Sequence, residues 1–400
     1  MKSVSRNDKG VLVFTHAAGN SELGPNARWA RFAEGLAKFD IKITLVGASF
    51  FHKYRKLISA SFLKPTLNMV DGATFVYIWS PAYRGGLRRF LNQIIFSLSI
   101  FFMRRSDFNA RNYDIVVASS PHPFVVLGAL YWARRLKAKF VYESRDLWPR
   151  LLIQHIGMNC LNPYVLLSGL MEQVAVKNSD FILTPKEFEA HYYKEQYAFK
   201  NVHWVPNTSK SPTDSIFRKR DDDCLSIIYS GSLQSIYNVD QLINAILNLP
   251  NSSLSLTILG DGPELDSLKR LAGADTRIVF SGWLTGDMYS RALATSDICF
   301  FSTVDMEINK YGFSSNKISD YLSMGKPILA HVSQGAAGLI RSNAALASNP
   351  GDVASLAGNI QRFLVDPELI DVMGAAARQY YLECYEYDSV VFKLARLISK

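Results

Sequence analysis

Short apolar runs alternate with helical patterns through most of the chain, and the alternation begins again after residue 223. The spacing predicts strands over 11–14, 41–46, 115–119, 140–142 and 180–184, with helices over about 26–38 and 165–178. A second set follows, with strands over 225–229, 254–259, 277–280, 297–301 and 327–330 and helices over 239–247, to about 271, and 288–295. Strands separated by helices pair in parallel. The expected class is therefore α/β, two Rossmann-like β/α/β domains facing each other across a cleft. The 400 residues exceed what one core organises, in agreement with two domains. The polar stretch 208–223 holds Pro212 and no apolar period. It places domains at 1–208 and 224–380, a linker at 209–223, and a last helix in 381–400 packing back toward the first domain.

A net charge of +9 points to an anionic partner, whether nucleic acid, nucleotide or acidic lipid. Nucleic acid fits poorly, because the basic residues are scattered or flank apolar runs and form no recognition helix. Cys160, Cys224, Cys299 and Cys384 lie far apart, without Cys-x-x-Cys or adjacent histidine spacing, and read as reduced thiols with no metal site. Residues 1–10 are polar and lead straight into a strand, with no signal-peptide pattern. The expected location is cytoplasmic, at the inner face of the membrane.

Three predicted strands of the first half end in polar groups: His16 with Gly19 and Gly24 in its loop, then His122 between two prolines, then Arg145 and Asp146. If those strands are parallel neighbours, the three ends converge on the edge where open α/β sheets bind ligands. His122 reads equally as a cap of the next helix. Arg88-Arg89 and Arg104-Arg105 bracket an apolar helix over 90–103, interrupted by Asn92, Gln93, Ser97 and Ser99 and too short to span a bilayer. It is either buried between layers or lies in an anionic membrane interface with arginines on lipid phosphates.

Residues 311–328 open with glycine and small hydroxyl residues. They continue with Ile318, Tyr321, Leu322 and Met324 at helical spacing and stop at Gly325 with Pro327 behind it. Such a loop feeding a helix is either an ordinary cap or an anion site, since free N–H groups and the positive dipole end face the loop. Asp320 lies one turn further in, placed to accept hydrogen bonds from a hydroxyl beside a bound phosphate.

Gly231-Ser-Leu, Ile258-Leu-Gly-Asp-Gly-Pro-Glu264, Phe280-Ser-Gly-Trp283 and Asn316-Lys-Ile-Ser-Asp-Tyr-Leu-Ser-Met-Gly-Lys-Pro327 together resemble family 4 glycosyltransferases of the GT-B fold. Glu143-Ser-Arg-Asp-Leu-Trp-Pro149 is similar to an element of the bacterial surface-polysaccharide (O-antigen and capsule) branch. The resemblance implies transfer of a sugar from a UDP-, GDP- or dTDP-linked donor to an acceptor hydroxyl, with retained configuration and neither metal nor cofactor. The acceptor it implies is a lipid-linked glycan bound by the first domain. It further implies that N–H groups around Ser314, Ser315 and Asn316 hold the diphosphate, with Lys317 as a cation. Asp320 would meet the ribose, Trp283 and Leu284 the base, and Gly231, Ser232 and Gly260 would border the phosphates. His122 would face sugar and acceptor, flanked by the loop residues His16, Gly19, Gly24 and Asp146.

Two departures stand out. Gly312 replaces the family's first glutamate, leaving Asp305 or Glu307 as substitutes, and the loop after Gly231 carries Gln234, Ser235 and Ile236 where a phosphate-binding lysine is usual. Arg145, Lys310 or Lys317 are the candidates for that missing charge. A nucleotide-sugar epimerase of the same fold and a non-catalytic nucleotide- or lipid-binding scaffold are the competing readings.

Overall fold

Parallel strands covered on both faces must be apolar along their whole length, and runs such as residues 11–14 and 298–301, buried throughout, meet that condition. The computed structural model describes residues 9–19, 28–51, 56–58, 65–70, 72–108, 112–120, 122–210, 224–250 and 253–400. They divide into two units, Met1–Val205 with Val391–Lys400, and Pro206–Val390.

The first unit contains β1 (Lys9–Thr15), β2 (Ile41–Ala48), the small antiparallel pair β3 (Phe50–Phe51) and β4 (Lys56–Leu57), β5 (Thr66–Val70), β6 (Ala73–Ile78), β7 (Ile115–Ser120), β8 (Lys139–Ser144), β9 (Phe181–Thr184) and β10 (Val202–Trp204). Its main sheet runs β10-β9-β8-β7-β1-β2-β6-β5, parallel except for the antiparallel β5–β6 pair. Val11, Leu12, Val13 and Phe14 are fully buried in β1, at the middle of this sheet. The β5–β6 hairpin falls in a region for which the apolar spacing above predicts nothing, although Asp71-Gly72 between two β-prone runs is a hairpin signal.

The second unit is a six-stranded, all-parallel sheet in the order β13-β12-β11-β14-β15-β16. Its strands are β11 (Leu225–Ser230), β12 (Leu254–Leu259), β13 (Ile278–Gly282), β14 (Ile298–Ser302), β15 (Ile328–His331) and β16 (Ala345–Ser348). The helices Val239–Leu247, Leu265–Ala272 and Val353–Val365 bury Leu242, Ile246, Leu268, Leu356 and Ile360 in one cluster with Ile227, Leu256 and Phe300.

The unit boundary falls at Val205/Pro206, slightly before the 208/209 limit suggested by composition. Hydrogen bonds explain the difference. Asn207 Nδ2 donates to Ser314 O, Ser209 N donates to Ser319 Oγ 3.0 Å away, and Tyr381 OH donates to Ser209 O, so these residues are tied to the second unit. The expected linker lies outside the described residues from 211 onward. Residues 381–400 do not act as one piece either. Tyr381 and Tyr385 are buried in the second unit, whereas Val391–Lys400, the greater part of the helix Tyr387–Ser399, belongs to the first. There Phe392 meets Phe39 and Lys9 Nζ donates to Ser399 O.

Candidate functional site

In the second unit the ends of β11, β12 and β13 are locked together by glycines. Gly231 N donates to Leu259 O at 2.8 Å and Gly260 N to Gly282 O at 2.7 Å. A Cβ on Gly260, whose φ is +145°, would collide with the carbonyl of Gly231, so only glycine lets these backbones approach so closely. Trp283 and Leu284 follow directly, Trp283 exposed and Leu284 half-buried.

Beside this edge the helix Asn316–Ser323 begins, with Ser315 as its extended N-cap residue. Ser315 makes no side-chain cap bond. Ser314, Ser315 and Asn316 are half-buried, so the first amides of the helix point from a partly open surface. Lys317 runs from this first turn to Gly231, where its Cε and Nζ fill the space a Cβ would take. Its ammonium lies 4.2 Å from the Tyr229 ring centroid and 4.3 Å from that of Tyr237, and donates to Tyr229 OH at 3.0 Å. Burial pushes this amine down to about 7 from its ordinary 10.5. Tyr229 OH in turn donates to the carbonyl of Ser232 at 2.6 Å.

Asp320, the expected ribose partner, already has a hydrogen bond on each carboxylate oxygen. One carboxylate oxygen accepts from Ser209 Oγ and the other from Tyr289 OH at 3.0 Å. Tyr289 also meets Ser230 Oγ at 3.3 Å, and Ser230 N donates to Tyr321 OH at 3.2 Å. The carboxylate therefore ties its helix to Ser209 and to Tyr289 of the helix Gly286–Thr295, and through Tyr289 to the end of β11. Of the candidates for the missing groups, Glu307 pairs with Lys310 on the surface and Asp305 accepts from Ser333. Gly312 takes φ +93°, a conformation that favours glycine over the carboxylate expected there.

The first unit also brings its polar strand ends together, because β8, β7 and β1 are parallel neighbours. The rings of His16 and His122 lie 5.0 Å apart. His122, however, is only 1% exposed, in a box of His16, Phe96 and Phe124, and among the described residues neither ring nitrogen has a hydrogen-bond partner. Burial first, then the charges of His16 and Arg89, hold its pKa well below the usual histidine value. It is a neutral, enclosed ring and does not cap the next helix, which starts without a side-chain bond after Phe124. His16 is half-buried and bonds Asn92 Oδ1 through Nε2 at 2.5 Å; Gly19 is buried, and Gly24 lies outside the described residues.

Arg145 and Asp146 are half-buried at the end of β8, with Arg145 N donating to Ser120 Oγ. The residue that dominates this strand end is Glu143, fully buried. It accepts from Arg28 Nε at 2.7 Å, Trp29 Nε1 at 2.8 Å and Ser119 Oγ at 2.5 Å. Burial would raise its pKa, but Arg28, Arg145 and the bonds from Ser119 and Arg28 outweigh that and hold it below the carboxylate range.

The helix expected over 90–103 runs from Gly86 to Ser99 with one tight turn at Ile100–Phe102, and it is inside out. Asn92, Gln93, Phe96 and Ser97 face inward, while Leu87, Leu91, Leu98 and Phe102 are exposed. The inward polar groups are satisfied: Asn92 bonds His16 and donates to Pro81 O, Gln93 Oε1 accepts from Tyr164 OH, and Ser97 Oγ donates to Gln93 O. Arg84, Arg88, Arg89, Arg104 and Arg105 are all exposed around the apolar face. No helix among the described residues is long and apolar enough to cross a membrane.

Residues 225–366 match the family described as Glycosyl transferases group 1. The second unit contains this glycosyltransferase group 1 domain at residues 225–366. A GDP-mannose-dependent alpha-(1-6)-phosphatidylinositol monomannoside mannosyltransferase of Mycobacterium tuberculosis is 26% identical over 166 residues, 39% of this chain and 42% of that protein. The match thus spans less than half of the curated relative. Among solved structures, sucrose-phosphate synthase from Thermosynechococcus elongatus superposes with a TM-score of 0.73 at 13% identity, over 97% of this chain and 98% of that one. Anabaena HepE in complex with UDP and glucose superposes with a TM-score of 0.66 at 13% identity, over 98% and 99%. The fold is GT-B.

Within residues 225–366, the family resemblance singles out Gly231, Ser232, Gly260, Trp283 and the start of the helix at Asn316, which the structure places beside one another. It does not single out Tyr229, Tyr237 and Tyr289. Tyr229 lies inside a strand and Tyr237 and Tyr289 in unremarkable surroundings, so no local pattern marks them.

Proposed function

We propose that this protein is a retaining, metal-independent glycosyltransferase that uses a nucleotide diphosphate sugar and a lipid-linked glycan acceptor in bacterial polysaccharide synthesis. The observation that carries the donor half is the convergence, within the group 1 domain, of the glycine-locked ends of β11, β12 and β13 on the start of the helix Asn316–Ser323, with Lys317 between them. Backbone amides, a helix dipole and one cation can hold a diphosphate and stabilise its charge as the sugar leaves. Exposed Trp283 offers a ring face to a base. Relatives of this kind act on GDP-mannose or bind UDP, which supports the substrate class without choosing the nucleotide.

The inside-out helix Gly86–Ser99 supports the acceptor half. An exposed apolar face ringed by arginines is what an anionic bilayer surface holds, so the protein works as a peripheral protein at the inner face of the membrane, where lipid-linked acceptors reside. Arg145 and the His16–His122 edge of the first unit are the candidates for acceptor-side roles, with His122 needing to be uncovered before it can touch sugar.

Titration with UDP, GDP and dTDP by thermal shift tests the donor half. One of the three is expected to raise the melting temperature in a concentration-dependent way. No shift with any of them at millimolar concentration removes the reading.

A further inference from the structure

The helix Gly86–Ser99 is amphipathic the wrong way round for an element that only supports the fold. Its inward row is Asn92, Gln93 and Ser97 with the rings of Phe96 and half-buried Phe90, whereas Leu87, Leu91 and Leu98 are exposed. Separating an ordinary helix from its protein exposes a whole apolar face to water, and that cost holds the helix down. Lifting this one uncovers little apolar surface besides the two rings, and the hydrogen bonds it releases can be remade with water.

The two ends are held unequally. At the C-terminal end Ile100 is fully buried, its side chain so close to Gly128 that a Cβ there would collide with it, and its carbonyl accepts from Trp132 Nε1 at 2.8 Å. At the N-terminal end the helix follows Gly85 without a side-chain cap bond, and a Cβ on Gly85 or Gly86 would meet nothing within 4 Å. Against the inner face lies the strand-end edge. Asn92 Oδ1 bonds His16 at 2.5 Å, and the Phe96 ring packs edge-on, 5.3 Å from His16 and 6.2 Å from His122. Among the described residues, both nitrogens of His122 and Thr15 Oγ1 are buried at this edge without a hydrogen-bond partner. Buried polar groups are ordinarily satisfied, so unsatisfied ones at a ligand-binding edge call for an opening that reaches them.

We infer that the helix Gly86–Ser99 is a lid over the His16–His122 edge, pivoting at Ile100, and that an anionic lipid surface holds it open. This rests on the acceptor half of the reading above. One helix carries both parts of the device. Leu87, Leu91 and Leu98, with Arg84, Arg88, Arg104 and Arg105 around them, face the lipid, and Asn92 and Phe96 close over the histidines. Lipid on the outer face therefore competes with Asn92 and Phe96 for the position of the same rigid element. Away from a membrane the closed form keeps His122 from water; at the membrane, where a lipid-linked acceptor is met, the ring becomes reachable.

Diethyl pyrocarbonate acylates a histidine nitrogen that solvent can reach, and peptide mass spectrometry assigns the site. In the full-length protein His122 is expected to react slowly in buffer or with phosphatidylcholine vesicles. With vesicles containing phosphatidylglycerol it should react at least ~10-fold faster, as the open fraction rises by a decade. Exposed His191 is the internal control and should keep its rate. Asn92→Ala removes the bonds to His16 and Pro81 and should raise the His122 rate in buffer. Should that variant not fold, Leu87→Glu combined with Phe102→Glu, both on the outside, should keep His122 slow with either vesicle. Flotation run in parallel separates the failures. Protein that floats with phosphatidylglycerol while His122 keeps its slow rate overturns the lid and leaves membrane docking standing. A His122 that reacts as fast as His191 in buffer overturns the closed form. Acceleration that follows protein concentration without lipid assigns the face to a second copy and overturns lipid as the opener. Protein that does not float removes the acceptor half of the reading and the lid with it.

Discussion

Replacing Leu87 and Phe102 together by glutamate should detach the protein from anionic membranes without unfolding it. Leu87 is 75% exposed and Phe102 82% exposed, on the face of the helix and its following turn that carries no protein partner of its own core. Full burial of such side chains is worth about 1.5–3 kcal/mol each. Scaled by their exposure, the pair contributes about 3–4 kcal/mol on entering the interface. Each new carboxylate near an anionic surface opposes binding by about 1 kcal/mol, the size of the attraction each arginine gives. The total, about 5 kcal/mol, corresponds to a loss of roughly 10³–10⁴ in partition coefficient. Flotation with vesicles of phosphatidylglycerol and phosphatidylcholine measures it: the wild type should rise with the lipid and the double variant should stay below. Because both side chains point outward, melting temperatures should agree closely. Wild-type protein that stays out of the lipid fraction, or a variant that floats as well as the wild type, would refute the assignment of this face. Raised salt should weaken wild-type flotation, as five exposed arginines lose their attraction by screening.

Two further outcomes follow from buried carboxylates of the first unit. Glu143→Ala leaves the Arg28 guanidinium buried beside an empty site and should cost about 3–5 kcal/mol at neutral pH, read as a lowered urea midpoint. Since its folded pKa is depressed, Glu143's contribution is present above its ordinary 4.5 and fades as pH falls through the folded value, so wild type and variant should converge in acid. An unchanged midpoint at pH 7 would contradict this. Glu172 is the opposite case. Burial raises its pKa to about 7, partly countered by hydrogen bonds from Tyr197 and Tyr192, and its Oε1 has no partner among the described residues. A raised carboxyl loses stability as pH climbs from 4.5 through 7, so Glu172→Gln should gain on the order of 2–3 kcal/mol at pH 8 and little at pH 5. Equal melting shifts at both pH values would show that its ionisation is not the cause.

The strands and their order of appearance were legible because each is a local apolar run. Ten strand cores, the start of the helix at Asn316 and the glycines at the ends of β11 and β12 all declare themselves within a few residues. The edge strands β5 and β16 did not, β5 having a mixed pattern and β16 being only four residues long. The helix Gly86–Ser99 was visible as a helix but not as inside out. Which side of an amphipathic helix faces the protein depends on what waits there, here His16, Pro81 and Tyr164 offering hydrogen bonds to Asn92 and Gln93.

By itself the sequence determined two α/β units, a glycine-bearing strand edge in each half, and a helix start suited to an anion. Periodicity and turn chemistry are properties of neighbouring residues, and a single chain displays them fully. Only the tertiary structure decided what each polar side chain does at those edges. Asp320, a ribose partner by motif position, is held by Ser209 and Tyr289; Glu143, one more charge after a strand, is the buried centre of the first unit's polar core. His122 is enclosed, and Lys317 reaches back to two tyrosines of another strand end. The reason is one of range: a side chain's charge state and availability are set by partners brought within about 3–5 Å by folding, and these lie tens to more than a hundred residues away in the chain.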